Sequence, residues 1–233
     1  MRIALLGYGK MGKTIEQIAL QRGHTIVIKA NHNDNYDITQ ADIAIDFSIP
    51  SAAFKNISHS LTHNIPVISG TTGWLKDYDK AVALCEAKNG AFIYASNFSL
   101  GVNIFFELNT NLAKMMNTLK QYKVSIEEIH HTQKLDAPSG TAITLANDII
   151  SVHSNYNSWQ LNKETDNAIQ ILAKREEDVP GTHTINYNSD IDTINIKHVA
   201  HNRQGFALGA VVAAEWLLGK TGIFTMKDVL NIG

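Results

Sequence analysis

Residues 2–21 place the tightest limit on what this chain can become. An apolar run, Ile3 to Leu6, ends on Gly7-Tyr8-Gly9-Lys10-Met11-Gly12, and "KTIEQIALQRG" then carries apolar residues at 15, 18 and 19 before Gly23. The run suits a buried parallel strand, and the later spacing suits one face of a helix. A strand turning on G-x-G-x-x-G into a helix brings its glycine backbone up to a pyrophosphate, with the helix N-terminus facing the charge.

The rhythm continues for about a hundred residues. "TIVIKA", "ADIAIDFS" (41–48), "PVISGTTG" (66–73) and "AFIYASN" (91–97) read as strands, with helical patterns at 51–62 and 77–88. Alternating strands and helices imply a doubly wound parallel sheet, whose strand C-terminal ends line one ligand-binding edge. After residue 101 the pattern changes to a long helix (102–119), a strand in "KVSIEEIHH", a helix at 139–152 and strands at 168–174, 182–187 and 191–199. Residues 154–168, rich in Asn and Ser, read as a surface excursion. The last stretch reads as a strongly apolar helix followed by a short amphipathic one. The expected fold is α/β: a Rossmann-type doubly wound parallel sheet with an inserted α+β domain. Residues 1–101 plus 206–233 form the dinucleotide-binding domain, and 102–205 the substrate-binding and oligomerisation domain.

Composition narrows the class. The 233 residues are 44% hydrophobic and 18% charged, with a net charge of −2. Such a balance suits a globular protein and gives no electrostatic reason for nucleic acid or a membrane surface as partner. The single cysteine, Cys85, fits a reducing cytoplasm and reads as a small core residue. No signal peptide or membrane span is expected, since the N-terminal apolar run is too short. His24, His32, His59, His63 and His153 are expected at the surface.

Two further turns, "SGTTG" (69–73) and "ASNFSLG" (95–101), offer amides and hydroxyls at the same sheet edge as the glycine loop. The second strand is followed by Asn31, where an acid would usually bond the adenosine ribose. Lys29 and His32 lie nearby and favour a phosphate, so NADPH is expected to serve at least as well as NADH.

The densest chemistry lies in "EEIHHTQKLDAPSGTA", residues 127–142. His130 and His131 alternate faces if the strand runs through them. Lys134 follows, and Ser139 is placed to cap a helix. The helix amides, the Thr141 hydroxyl, the lysine and a histidine together compose an anion site with room for two carboxylates. Metal ligation, a plain strand end and a solvated lysine remain alternatives. No metal is expected, because adjacent histidines without a third ligand at matched spacing make a poor zinc site.

This segment resembles the signature of the 4-hydroxy-tetrahydrodipicolinate reductase (dihydrodipicolinate reductase) family, E-x-H-H-x-x-K-x-D-A-P-S-G-T. "GYGKMG", "AIDFS-P", "GTTG", "NFSLGVN" and "H-x-A-x-x-R-x-x-F-A-x-G-A" (198–210) match it in family order. The chain departs in a glycine loop one residue shorter and in a shorter 179–198 region. The resemblance implies reduction of a cyclic unsaturated dicarboxylate with NADH or NADPH, in diaminopimelate and lysine biosynthesis, by a homotetramer. It implies His130 as the acid–base residue and Lys134 as a second proton donor, with His131, Lys134, Gly140 and Thr141 holding the substrate carboxylates. Gly7, Tyr8, Gly9, Lys10, Met11 and Gly12, with Gly70, Thr71 and Thr72 and with Ala95, Ser96, Asn97 and Phe98, would contact the dinucleotide, beside Asn31. Another nicotinamide dehydrogenase of this layout, or a non-catalytic dinucleotide sensor, fits the pattern less well, since His130, His131 and Lys134 are all present.

Overall fold

The computed structural model describes residues 1–232 and divides into two compact units, residues 1–103 with 204–233, and residues 104–203. The boundary falls inside one long helix.

In the first unit, β1 (Arg2–Leu6), β2 (Thr25–Ala30), β3 (Ile43–Asp46), β4 (Val67–Ser69) and β5 (Ala91–Tyr94) are separated by α1 (Lys10–Gln21), α2 (Pro50–Thr62) and α3 (Tyr78–Ala87). The chain's last strand also joins this all-parallel sheet, beside β5; the order is last strand-β5-β4-β3-β1-β2. Strand alternation decides the two cores. Ile3, Leu5, Ile43, Ile45, Ile68 and Ile93 face one way, in one cluster with Ile15 and Ala19 of α1. Ala4, Leu6, Ala44, Val67 and Phe92 face the other, with Ile57 and Leu61 of α2 and Cys85 of α3. Both faces are covered, which is why these strands read as continuous apolar runs. From β1 the chain goes outward to β2 and then returns to β3 on the opposite side, so the β1–β3 pair marks a topological switch point, where such sheets bind ligands.

In the second unit, α4 (Leu100–Met116, begun in the first unit) is followed by β6 (Lys123–His130), α5 (Gly140–Val152), β7 (Ser158–Leu161), β8 (Ala168–Arg175), β9 (Gly181–Asn188) and β10 (Thr193–Ala200). The mixed sheet runs β10-β9-β6-β8-β7. Ala142, Leu145, Ala146 and Ile149 of α5 and Phe105, Ala113 and Met116 of α4 pack on the face presenting Val124, Ile126, Ile169, Ile171, Ile185 and Tyr187. The chain then returns through α6 (Gln204–Leu217), β11 (Gly222–Phe224) and α7 (Met226–Leu230).

Three expectations need correction. The polar excursion contains β7, an edge strand whose apolar content is only Trp159 and Leu161. A strand, β11, stands between the two terminal helices; three residues are too few to show a period. His153, expected at the surface, is buried at the end of α5 with its ring 5.0 Å from that of Tyr156. Burial pushes its imidazole pKa down. Cys85 is a buried free thiol, as expected. Among the described residues no helix is long and apolar enough to cross a membrane.

Candidate active site

The two units each gather a set of loops around one fully buried carboxylate. In the first unit it is Asp46, the last residue of β3. Its Oδ1 accepts from Ser48 Oγ at 2.7 Å and Asn56 Nδ2 at 2.8 Å; its Oδ2 accepts from Ser69 Oγ at 2.8 Å and Thr71 Oγ1 at 2.7 Å. Burial pushes the pKa up while the four donors pull against it. The Thr71 hydroxyl accepts from Ser48 N–H at 2.8 Å, which turns its own hydrogen toward Asp46. Asp46 therefore ties the turn after β4 to the turn after β3.

Phe47 does the same by packing. A side chain on Gly70 would lie 2.3 Å from its ring, one on Gly7 would lie 2.2 Å from its carbonyl oxygen, and the Phe98 ring sits 5.7 Å away. Gly7 also has φ +97°, a left-handed backbone that glycine tolerates best. The expected cofactor residues thus occupy one edge of one sheet: Gly7 to Gly12 after β1, Asn31 after β2, Gly70 to Thr72 after β4, and Ala95 to Phe98 after β5. α1 begins at Gly9 with no side-chain cap, and the N–H groups of Lys10, Met11 and Gly12 have no partner among the described residues. A Cβ at Gly9 would meet nothing within 4 Å. Open space over three unpaired amides suits a pyrophosphate.

The β2 end is less simple than the sequence suggested. Lys29 Nζ lies 2.5 Å from Glu16, which also bonds the Tyr8 hydroxyl, so its charge is already engaged. Asp34 Oδ2 accepts from Asn31 N–H at 2.7 Å and places a carboxylate there. Both features weaken the case for a phosphate.

In the second unit the buried carboxylate is Glu128. Alternation along β6 turns Val124, Ile126, Glu128 and His130 to the helix-covered face, and all four are buried. The first two feed the core; the last two bring ionisable groups to its end. Antiparallel register sets His183 of β9 directly opposite Glu128, and parallel register sets Arg175 of β8 beside His130. Glu128 accepts Ser139 N–H on both oxygens, at 3.1 and 3.0 Å. Its Oε2 lies 3.5 Å from His130 Nδ1 and 3.7 Å from His183 Nε2, and its Oε1 3.6 Å from Arg175 Nη2. Burial alone would raise its pKa; His183 and Ser139 overcome that and hold it at about 2. His130 is driven the other way, to about 4, by burial and by His183, Lys134 and Arg175 against the pull of Glu128. At neutral pH its imidazole is uncharged.

Ser139 caps α5 as expected, its Oγ accepting from Ala142 N–H at 3.2 Å and lying 3.1 Å from His183 Nε2. Ser139 O accepts from Ile143 N–H. Of the α5 amides, this leaves Gly140 and Thr141 N–H without a partner among the described residues, and a Cβ at Gly140 would meet nothing within 4 Å. His131 lies just beyond the end of β6, half-buried, with its Nδ1 unpartnered. Lys134 is held by both oxygens of Asp136 at 2.8 Å. Glu128, His130 and His183 offer ligand atoms within 4.8 Å of one another, the composition of a metal site. Ser139 N–H already engages both carboxylate oxygens and Arg175 brings a cation alongside, so the group is better described as a charge cluster.

The match to known families decides the lineage. Residues 1–98 match the family described as dihydrodipicolinate reductase, N-terminus, and residues 101–230 match dihydrodipicolinate reductase, C-terminus. The chain belongs to the dihydrodipicolinate reductase family. The 4-hydroxy-tetrahydrodipicolinate reductase of Christiangramia forsetii is 62% identical over 99% of this chain and 98% of its own length. That of Thermosipho africanus is 34% identical over 99% and 98%. The dipicolinate-bound dihydrodipicolinate reductase of Paenisporosarcina sp. TG-14 shares the fold, with a TM-score of 0.79, 22% identity and 98% coverage of both chains. As a member of this reductase family the chain is an oxidoreductase using NADH or NADPH.

Glu128, Asp46 and Phe47 lie inside motifs quoted from the sequence, which gave them no role, and His183 and Arg175 lie outside every motif. Period-two alternation places Glu128 on the apolar face of β6 and could have flagged it. His183 and Arg175 needed the sheet register.

The depressed His130 pKa has a stability consequence. An unfolded histidine takes its proton near pH 6.5 and the folded one near 4, so stability is full above the first value and falls as pH drops toward the second. Urea denaturation at pH 7 and pH 4.5 should show wild type losing on the order of 1–3 kcal/mol more than His130→Gln. Parallel losses in the two proteins would contradict the assignment.

Proposed function

We propose that this chain reduces 4-hydroxy-tetrahydrodipicolinate to tetrahydrodipicolinate, with the unit formed by residues 1–103 and 204–233 binding the dinucleotide and the unit of residues 104–203 binding the dicarboxylate. The observation that carries the site reading is the pair of unfilled amides at Gly140 and Thr141, beside an uncharged histidine and a lysine. Helix N-terminal N–H groups and a lysine are what a carboxylate needs, and hydrogen bonds to a charged group contribute about 1.5–3 kcal/mol each.

The bound dinucleotide supplies hydride when present; the glycine loop and the turns at Gly70–Thr72 and Ala95–Phe98 hold it. The protein's own groups handle charge and protons. Gly140, Thr141 and His131 receive the carboxylates. Lys134 exchanges the Asp136 carboxylate for one belonging to the substrate and stands as a second proton donor. His130 delivers the proton that the reduced centre requires. Its resting imidazole is neutral because burial and three neighbouring basic side chains oppose protonation; an arriving dianion reverses that balance, so the proton is taken up with the substrate. A positioned acid of this kind contributes roughly 10²–10⁴-fold in rate.

His130→Ala and Lys134→Ala should each lose most turnover, followed as nicotinamide absorbance with the synthase product as substrate, while cofactor affinity stays at the wild-type value. Near-wild-type kcat in both variants would overturn these two roles.

Two features of the second sheet support an assembly. α4 and α5 cover one face, whereas β10 and β7 are edges and Ile194 and Val199 of β10 are exposed. Unpaired edges are commonly covered by another chain. We read the chain as a homotetramer of a cytoplasmic enzyme, in keeping with its one buried, free cysteine. Light scattering should give four times the monomer mass, and a monomer at working concentration would contradict this.

A further inference from the structure

Acid–base work by His130 does not by itself call for a carboxylate of zero exposure two residues earlier on the same strand. We propose that Glu128 is a positioning residue: one buried carboxylate fixes the His130 imidazole with its hydrogen on Nδ1 and clamps the first turn of α5, keeping proton delivery and carboxylate binding in register. The inference rests on the reading of His130 as the acid–base residue.

Geometry carries it. His130 Nδ1 is buried without a hydrogen-bond partner and faces Glu128 Oε2 at 3.5 Å. A carboxylate opposite one ring nitrogen selects the tautomer that puts the hydrogen there and leaves the other nitrogen's lone pair available. That other nitrogen, Nε2, lies over Gly181, where a Cβ would stand only 3.2 Å away, so the glycine gives the ring its room. Ser139 N–H bonds both oxygens of the same carboxylate, and Ser139 is the residue whose hydroxyl caps α5. One carboxylate thus touches the strand bearing the acid and the turn bearing the Gly140 and Thr141 amides.

Glu128 of β6 is the negative group that faces His130. His183 comes from β9 with rings 5.1 Å apart, Arg175 from β8, and Lys134 from the following loop, where Asp136 holds it. Without the Glu128 charge, burial, His183, Lys134 and Arg175 all oppose protonation, so the imidazole would be harder still to protonate. Ser139 Oγ, bonded to Ala142 N–H and close to His183 Nε2, ties β9 into the same unit.

The test is ¹⁵N NMR of histidine-labelled protein, with the His130 resonances assigned by their loss in His130→Asn, together with kinetics. Wild type should show the Nδ1–H tautomer at neutral pH; an Nε2–H tautomer would overturn the proposal without recourse to any variant. Glu128→Gln keeps the shape and an acceptor for Ser139 N–H but presents an amide N–H₂ to the ring. It should switch His130 to Nε2–H, lower kcat at least tenfold, raise KM for the dicarboxylate and leave KM for the dinucleotide unchanged. Glu128→Asp, which keeps the charge, should recover part of kcat. Wild-type tautomer and kcat in Glu128→Gln would overturn the proposal. The reading of His130 fails separately, if His130→Ala turns over like wild type, whatever its tautomer.

Discussion

A carboxylate taken out of water must be given donors or it will not stay charged, and among the described residues two are buried completely, Asp46 and Glu128. Each is at or near the C-terminal end of a strand, the place where loops diverge. Asp46 collects three hydroxyls and an amide, and in doing so joins the turns after β3 and β4. Glu128 collects the Ser139 N–H and the side chains of His130, His183 and Arg175, drawn from three strands. The donors that solve the burial problem are the residues that shape the sites.

The two carboxylates differ in surroundings. The partners of Asp46 are neutral, and burial pushes its pKa up. The partners of Glu128 include basic side chains, and its pKa is held at about 2 despite burial. A permanent negative charge next to a histidine is a means of setting a proton's position. Packing supplies the other half of the precision: Phe47 against Gly7, Gly70 and Phe98 in one unit, and Gly181 beneath His130 in the other.

Much of the architecture was legible in the residues because its causes are local. The glycine turn at Gly7 demands a left-handed backbone, buried parallel strands demand apolar runs, and Ser139 before a helical pattern demands a cap. What was not legible depended on partners distant in sequence or on very short segments. β11 is three residues whose strand character comes from pairing with β5, and β7 is an edge strand in a polar stretch. His153 is the exception: it is buried at the end of α5 against Tyr156, only three residues on, a local contact that lies within a polar stretch read as surface. The site divided the same way. His130, Lys134, Gly140 and Thr141 sit in one segment, whereas His183 and Arg175 enter only through the register of β9 and β8. Lys29, read by its position as attracting a phosphate, is instead paired with Glu16, which weakens that role.

The central claim is that the resting site holds His130 neutral and acquires its proton with the dianionic ligand. Calorimetry of pyridine-2,6-dicarboxylate binding at neutral pH, repeated in buffers of different ionisation enthalpy, measures this directly. The account expects the apparent enthalpy to vary with buffer in the sense of proton uptake, and the His130→Gln protein to lose that dependence. A binding enthalpy independent of buffer in the wild-type protein would contradict it.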